Sequence, residues 1–220
     1  MIYTEKSKVK IINPNTVFEA GLSTEEVDIL GEVANISMGN AATALSMMVN
    51  QRVDITTPNV QVINRSEALN DYEKTCVFVQ IHYIVGLDGN NVFILKEPDV
   101  LVLTDLMMGG NGTGMTGEVN ELHLSAISEA MNQMMGASAT SMSSMLNTMV
   151  DISPPELNRI DVESVKSFEK MFESSLDKFV KIAFKLEIGE DLIDSTMVQL
   201  YPVSFAKDIV EKFRLNKEDK

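Results

Sequence analysis

EVANISMGNAATALSMMVNQRVDITTP, residues 32–58, returns 97 positions later as EAMNQMMGASATSMSSMLNTMVDISPP, residues 129–155. The two stretches align without a gap, and 13 of the 27 positions are identical. Chance at ordinary residue frequencies gives about two such matches. A pattern that recurs once is too short an array for a solenoid, whose units need several stacked neighbours. It therefore predicts one domain with internal pseudo-twofold symmetry.

Each copy opens on a long apolar-periodic run, read as a helix over 24–49 and again over 122–149. Ser23, with Glu26 three residues on, forms a capping-box signature at the first start. At about 100° per residue, Asp28, Glu32, Asn35, Gly39, Thr43, Ser46 and Asn50 share one arc. Ser125, Glu129, Asn132, Gly136, Thr140, Ser143 and Asn147 share the matching arc of the second copy. The opposite arcs are apolar: Val27, Leu30, Ala34, Met38, Ala41, Leu45 and Met48, then Leu124, Ile127, Met131, Met135, Met142 and Met145. Each helix thus packs one face on something and turns the other outward.

β-rich segments follow each helix. In the first copy these are 53–55, 60–63 and the alternating run 75–85, then a hairpin turn at 88–91 (DGNN), a returning strand at 92–95 and a shorter helix over 97–108. The second copy repeats them at 150–152, 160–165, 180–188 and 197–201, with a helix over 204–213. Helices and strands in blocks predict an α+β fold: two long helices on a mostly antiparallel sheet. The domain spans 22–215, with repeats of about 22–118 and 119–215. Residues 1–21 form an N-terminal arm with strand-like character at 9–12, and 216–220 (NKEDK) a linker-like tail.

Composition narrows the partners. With 32 acidic against 18 basic residues the chain carries net charge −14, unsuited to nucleic acid or an anionic membrane surface. No run reaches the 18 or so apolar residues of a membrane span, and no signal peptide opens the chain. The single cysteine, Cys76, excludes an internal disulfide or a multi-thiolate zinc site. These features predict a cytoplasmic protein.

The outward stripes are unusual for solvated faces. They hold no Lys or Arg, and each keeps a mid-helix glycine at a cost of about 1 kcal/mol relative to alanine. Gly39 and Gly136 therefore mark where another backbone approaches. A carboxylate and a carboxamide one turn apart supply neither nucleophile nor strong base. An amide can nevertheless position water for attack on a phosphoryl group, and a carboxylate can clamp a partner's cation. No carboxylate cluster near Asn35 or Asn132 offers to hold a metal, so the metal belongs to the partner.

The pattern Asp/Ser, three residues, Glu, two residues, Asn, twenty-two residues, Pro is met twice: Asp28, Glu32, Asn35, Pro58 and Ser125, Glu129, Asn132, Pro155. In this the chain resembles the CheC/CheX/FliY phosphatases, over nearly its whole length. The segments at 50–58, 123–143 and 192–210 look more like the FliY branch, the flagellar motor switch phosphatases, than stand-alone CheC. The related switch protein FliM shares the fold but lacks the Glu/Asn pairs.

The resemblance implies a CheC-like fold and hydrolysis of CheY-phosphate. It makes Glu32, Asn35, Glu129 and Asn132 catalytic: each Asn orients the attacking water, and each Glu pairs with the lysine at the CheY phosphorylation site. Asp28, Gly39, Ser125 and Gly136 become partner-binding. No cofactor of the chain's own is expected; magnesium is carried by CheY. The implied partners are phosphorylated CheY and the switch proteins FliM, FliG and FliN-like, at the cytoplasmic face of the flagellar basal body. FliY proteins continue into a FliN-like domain, and the tail reads as the linker to one or as the end of a short member. The alternative is a structural, CheY-binding switch module with little catalytic activity.

Two other motifs are weaker. Gly112, Gly114 and Gly117 spell GxGxxG, but a helix precedes them instead of a strand, so they read as the connection between repeats. Residues 22–30 (LSTEEVDIL) resemble a CheY-docking peptide, yet the cap explains them as a helix start. His82 and His123 read as core or surface residues.

Overall fold

Ser23 starts the first helix as its sequence predicts. Its hydroxyl accepts from the Glu26 N–H at 3.2 Å, while the Glu26 carboxylate accepts from the Ser23 N–H at 2.7 Å. The structure, a computed structural model, describes residues 21–68, 75–161, 171–172 and 177–218. In chain order its elements are α1 (Thr24–Val49), β1 (Val53–Asn64), β2 (Thr75–Val85), β3 (Gly89–Lys96), α2 (Glu97–Met107), α3 (Glu121–Leu146), β4 (Asp151–Ile152), β5 (Glu156–Asp161), β6 (Lys178–Ile188), β7 (Ile193–Pro202) and α4 (Val203–Glu218). The arm at 1–20 and the stretch 162–165, read as strand from the sequence, lie outside the described residues.

The strands form one seven-stranded antiparallel sheet in the order β1-β6-β7-β3-β2-β4, with β5 also paired to β2. This order follows from the duplication. The first strand of each repeat pairs with the second strand of the other: β1 runs along β6 from Val53↔Ile188 to Asn64↔Lys178, and β4 and β5 run along β2. β3 and β7 meet in the middle through Val92↔Leu200 and Ile94↔Val198. Each repeat thus completes its sheet only with the other's strands.

The four helices α1 to α4 pack on one face. Leu30, Met38, Ala41 and Leu45 of α1 and Ile127, Met131, Met135 and Met142 of α3 are buried there, with Val79, Ile81, Phe93, Ile182 and Phe184 of the sheet beneath. Burying one such side chain contributes about 1.5–3 kcal/mol. The expected apolar arcs are therefore the core arcs. A second, smaller core on the opposite face gathers Cys76, Phe78, Ile94, Phe172, Phe179 and Leu200.

Several boundaries differ from expectation. α4 runs on to Glu218, so residues 216–218, expected in a linker-like tail, belong to that helix and pack on the long helices, and β7 starts at Ile193 and not at 197. The β2–β3 turn lies at 86–88, not 88–91: Gly86 takes φ +75, and a Cβ there would overlap the Met149 carbonyl. Gly89, Asn90 and Asn91 are already in β3, paired with Tyr83, His82 and Ile81. α3 ends at Leu146 and not at 149, because Asn147 adopts the left-handed conformation (φ 48), as Asn50 does after α1 (φ 50). The sites expected as separate strands at 53–55 and 60–63 form one strand, β1, with an irregularity between Thr56 and Asn59.

Candidate functional site

The predicted stripe divides into a structural end and an open end. At its C-terminal end, the Ser46 hydroxyl accepts from the Val53 N–H at 3.0 Å, and its repeat mate Ser143 accepts from the Val150 N–H at 2.9 Å. These serines tie each long helix to the first strand behind it. Asn50 and Asn147 are the left-handed residues that end the helices. Four of the fourteen stripe residues thus serve the fold. The signal for the last two was available, since Asn is the common non-glycine residue at that position.

The open end is the rest of each stripe. Asp28, Glu32, Asn35, Gly39 and Thr43 are exposed, as are Ser125, Glu129, Asn132 and Thr140; Gly136 is half-buried. A Cβ placed on Gly39 or on Gly136 meets nothing within 4 Å. The glycines therefore do not serve packing inside the chain. Thr43 and Thr140 each return a hydroxyl hydrogen bond to the glycine carbonyl four residues back, at 3.3 and 3.0 Å.

In the first repeat the stripe borders a groove of about 590 Å³ lined by Val27, Asp28, Gly31, Glu32 and Asn35 of α1 and Thr56, Pro58 and Val60 of β1. All four residues of the repeated pattern line it. Proline fits this wall because β1 ends the sheet order and because the position falls within the irregularity between Thr56 and Asn59. In the second repeat, Ser153, Pro154 and Pro155 break the corresponding strand into β4 and β5. The gap is bridged by the Ser153 N–H donating to the His82 carbonyl at 2.8 Å.

The two carboxylates have different neighbours. Glu129 accepts from the Gln133 amide at 2.9 Å. Glu32 lies 3.8 Å from the Lys217 ammonium of α4. Position 36, the counterpart of Gln133, is an exposed isoleucine. The Gln133 contact was legible at i+4 spacing. The Lys217 contact was not, because it depends on how α4 crosses the long helices.

Three weaker motifs resolve into structure. The glycine loop follows α2, and its Gly112 N–H donates to the Asp105 carboxylate at 2.8 Å. His123 is a cap: its Nδ1 accepts from the Asn120 N–H at 3.0 Å. Leu22 is fully buried and leads into the cap of α1, so residues 22–30 belong to the folded domain. Among the described residues no helix is long and apolar enough to cross a membrane.

Comparisons with known proteins match the duplication and the fold. The model of the CheC-like family matches residues 25–62 and 122–159, once per repeat at the 97-residue offset. The chain is 45% identical over 189 residues to the flagellar motor switch phosphatase FliY of Bacillus subtilis (strain 168), covering 86% of this chain. It spans about half, 49%, of that protein's length. It is 23% identical over 145 residues to the CheY-P phosphatase CheC of the same organism, covering 63% of this chain and 68% of CheC. The crystal structure of Thermotoga maritima FliY superposes with a TM-score of 0.82 at 38% identity, covering 88% of this chain and 98% of that one.

Proposed function

Because this chain belongs to the CheC-like family, and within it to the FliY proteins, we propose that it dephosphorylates phosphorylated CheY at two sites, one on each long helix. The observation that carries this reading is the groove that gathers Asp28, Glu32, Asn35 and Pro58, with the same residue pattern exposed on α3. The relatives named as phosphatases support the reaction class, and the CheC relative named for CheY-P supports the substrate.

The reaction asks for positioning. An aspartyl phosphate on CheY already has its magnesium and its charge-neutralising lysine, so the missing part is a water held in line with the phosphorus. Asn35 and Asn132 supply it: each amide orients a water that attacks the phosphorus as the bond to the aspartyl oxygen breaks. The products are inorganic phosphate and the free aspartate. Glu32 and Glu129 pair with the lysine beside the phosphorylated residue, which fixes CheY's register on the helix. Asp28 and Ser125, one turn earlier, and Gly39 and Gly136, one turn later, bound the contact surface. The flagellar motor switch name of the Bacillus relative supports a place in the motor switch; the partners proposed with it are FliM, FliG and FliN-like proteins, at the cytoplasmic face of the basal body.

The test is phosphate release from CheY phosphorylated by a small-molecule donor in the presence of magnesium. Acceleration by substoichiometric protein is the expected result. Binding of phosphorylated CheY without acceleration would replace this reading with a structural switch module.

A further inference from the structure

The two sites share their Glu and Asn but are not alike in charge: the first has Asp28 where the second has Ser125, and the last helix adds a second difference. α4 is anchored by Phe205, Ile209, Val210 and Phe213 in the core. Its final turns then make three contacts on the long helices. The Arg214 guanidinium meets the Glu25 carboxylate at 3.1 Å, the Asn216 amide donates to the Met145 carbonyl at 2.8 Å, and the Lys217 ammonium stands 3.8 Å from Glu32. Lys217 also lies over the Phe213 ring, 4.5 Å from its centroid, a cation–π contact that holds the ammonium on this side of the helix.

The second site has a different arrangement. Glu129 is bonded by the neutral amide of Gln133, which leaves its charge in place. α2 follows β3 in the first repeat as α4 follows β7 in the second. Its sequence, EPDVLVLTDLM, holds no Lys or Arg. That helix can bring no cation to Glu129.

We propose that Lys217 is a built-in competitor for the first site: its ammonium occupies Glu32 in the place of the partner's lysine, so that a partner must displace a cation on α1 but meets on α3 a carboxylate bonded by a neutral amide. This rests on the phosphatase reading above. It adds that the C-terminal helix lowers the affinity of the first site and makes it depend on salt, beyond the difference that Asp28 and Ser125 already make. Lys217 touches neither the phosphoryl group nor the water; it acts through Glu32. An exposed pair of this kind stabilises by at most about 1 kcal/mol, so the competition is worth about a two- to five-fold change in apparent affinity. It fades as salt shortens the screening length.

The experiment isolates each site. In an Asn132→Ala background only the first site turns over, and Lys217→Gln should lower KM for phosphorylated CheY about two- to five-fold at low ionic strength. The gain should disappear at high salt, with kcat little changed. In an Asn35→Ala background, where only the second site works, Lys217→Gln should leave KM unchanged. In parallel, a zero-length carbodiimide cross-link on the wild-type chain should join the peptides bearing Glu32 and Lys217, read by mass spectrometry. Absence of the cross-link overturns the proposal. So does an equal effect of Lys217→Gln in the two backgrounds, or no effect in the first. If wild-type protein releases no phosphate, the phosphatase reading itself has failed, a result distinct from an active enzyme indifferent to Lys217.

Discussion

Leucine at Gly39 separates a docking surface from a folding device. The residue is exposed in mid-helix, and a Cβ there meets nothing within 4 Å. Replacing it by a good helix former should therefore stabilise α1 by about 1 kcal/mol, raising the melting temperature of a chain this size by about 2–4 °C. The same side chain projects from the arc that carries Glu32 and Asn35. If CheY lies against that arc, the leucine overpacks the contact, at a cost of about 1–3 kcal/mol, or about ten- to hundred-fold in kcat/KM at that site. The assay pairs thermal melts with phosphate release, in an Asn132→Ala background so that the second site cannot mask the loss. Gly136→Leu in an Asn35→Ala background is the mirror experiment. A higher melt with a lower rate is the expected result. A melting temperature lowered by many degrees, or an unchanged rate, would refute the idea that these glycines exist to let a partner approach.

Other substitutions test the fold and its divisions. Gly86→Ala forces a side chain into φ +75 and against the Met149 carbonyl, so a loss of at least about 2 kcal/mol is expected in chemical denaturation; a neutral result would mean the turn is placed wrongly. Ser46→Ala and Ser143→Ala each remove the acceptor for the Val53 or Val150 N–H. Each should cost about 1–3 kcal/mol while kcat stays near wild type, and a selective loss of catalysis would move these serines into the site. Asp99 has its pKa raised above the usual carboxylate range by burial, against the opposing Ser195 hydrogen bond at 2.6 Å and the charge of Lys96. Its folded-state pKa exceeds its unfolded value, so stability is lost as pH rises through the raised value. Asp99→Asn should accordingly gain in melting temperature over wild type from about pH 3 to about pH 7; a gap that shrinks over that range would reverse the sign of the argument.

The helices and the open end of the stripe were readable because their causes are local. Ser23 and Glu26 cap α1 from three residues apart, and the 3.6-residue period sorts Leu30, Met38 and Leu45 from Asp28, Glu32 and Asn35 without reference to the rest of the chain. Pro58 could be tied to the stripe only because the pattern occurs twice. What escaped depends on long-range pairing. That β1 runs along β6, and not beside its own repeat's β2, follows from how two half-sheets complete each other, and a periodicity of two cannot choose between those partners. The turn was misplaced because DGNN reads as a hairpin signal, whereas Gly86 is set by the Met149 carbonyl, 63 residues further along the chain. The meeting of Lys217 with Glu32 has the same origin: α4 has a visible apolar period, but its crossing over the long helices is settled by the core beneath it.

The proposed hydrolysis depends above all on the two asparagine amides. Asn35→Ala, Asn132→Ala and the double variant should each fold, since both side chains are exposed on helices that alanine favours. Circular dichroism and melting establish this before any rate is measured. Phosphate release from phosphorylated CheY should then persist at a reduced level in each single variant and fall about 10²-fold or more in the double variant, with binding of phosphorylated CheY retained. A double variant that folds, binds and still hydrolyses at close to the wild-type rate would show that these asparagines do not orient the attacking water.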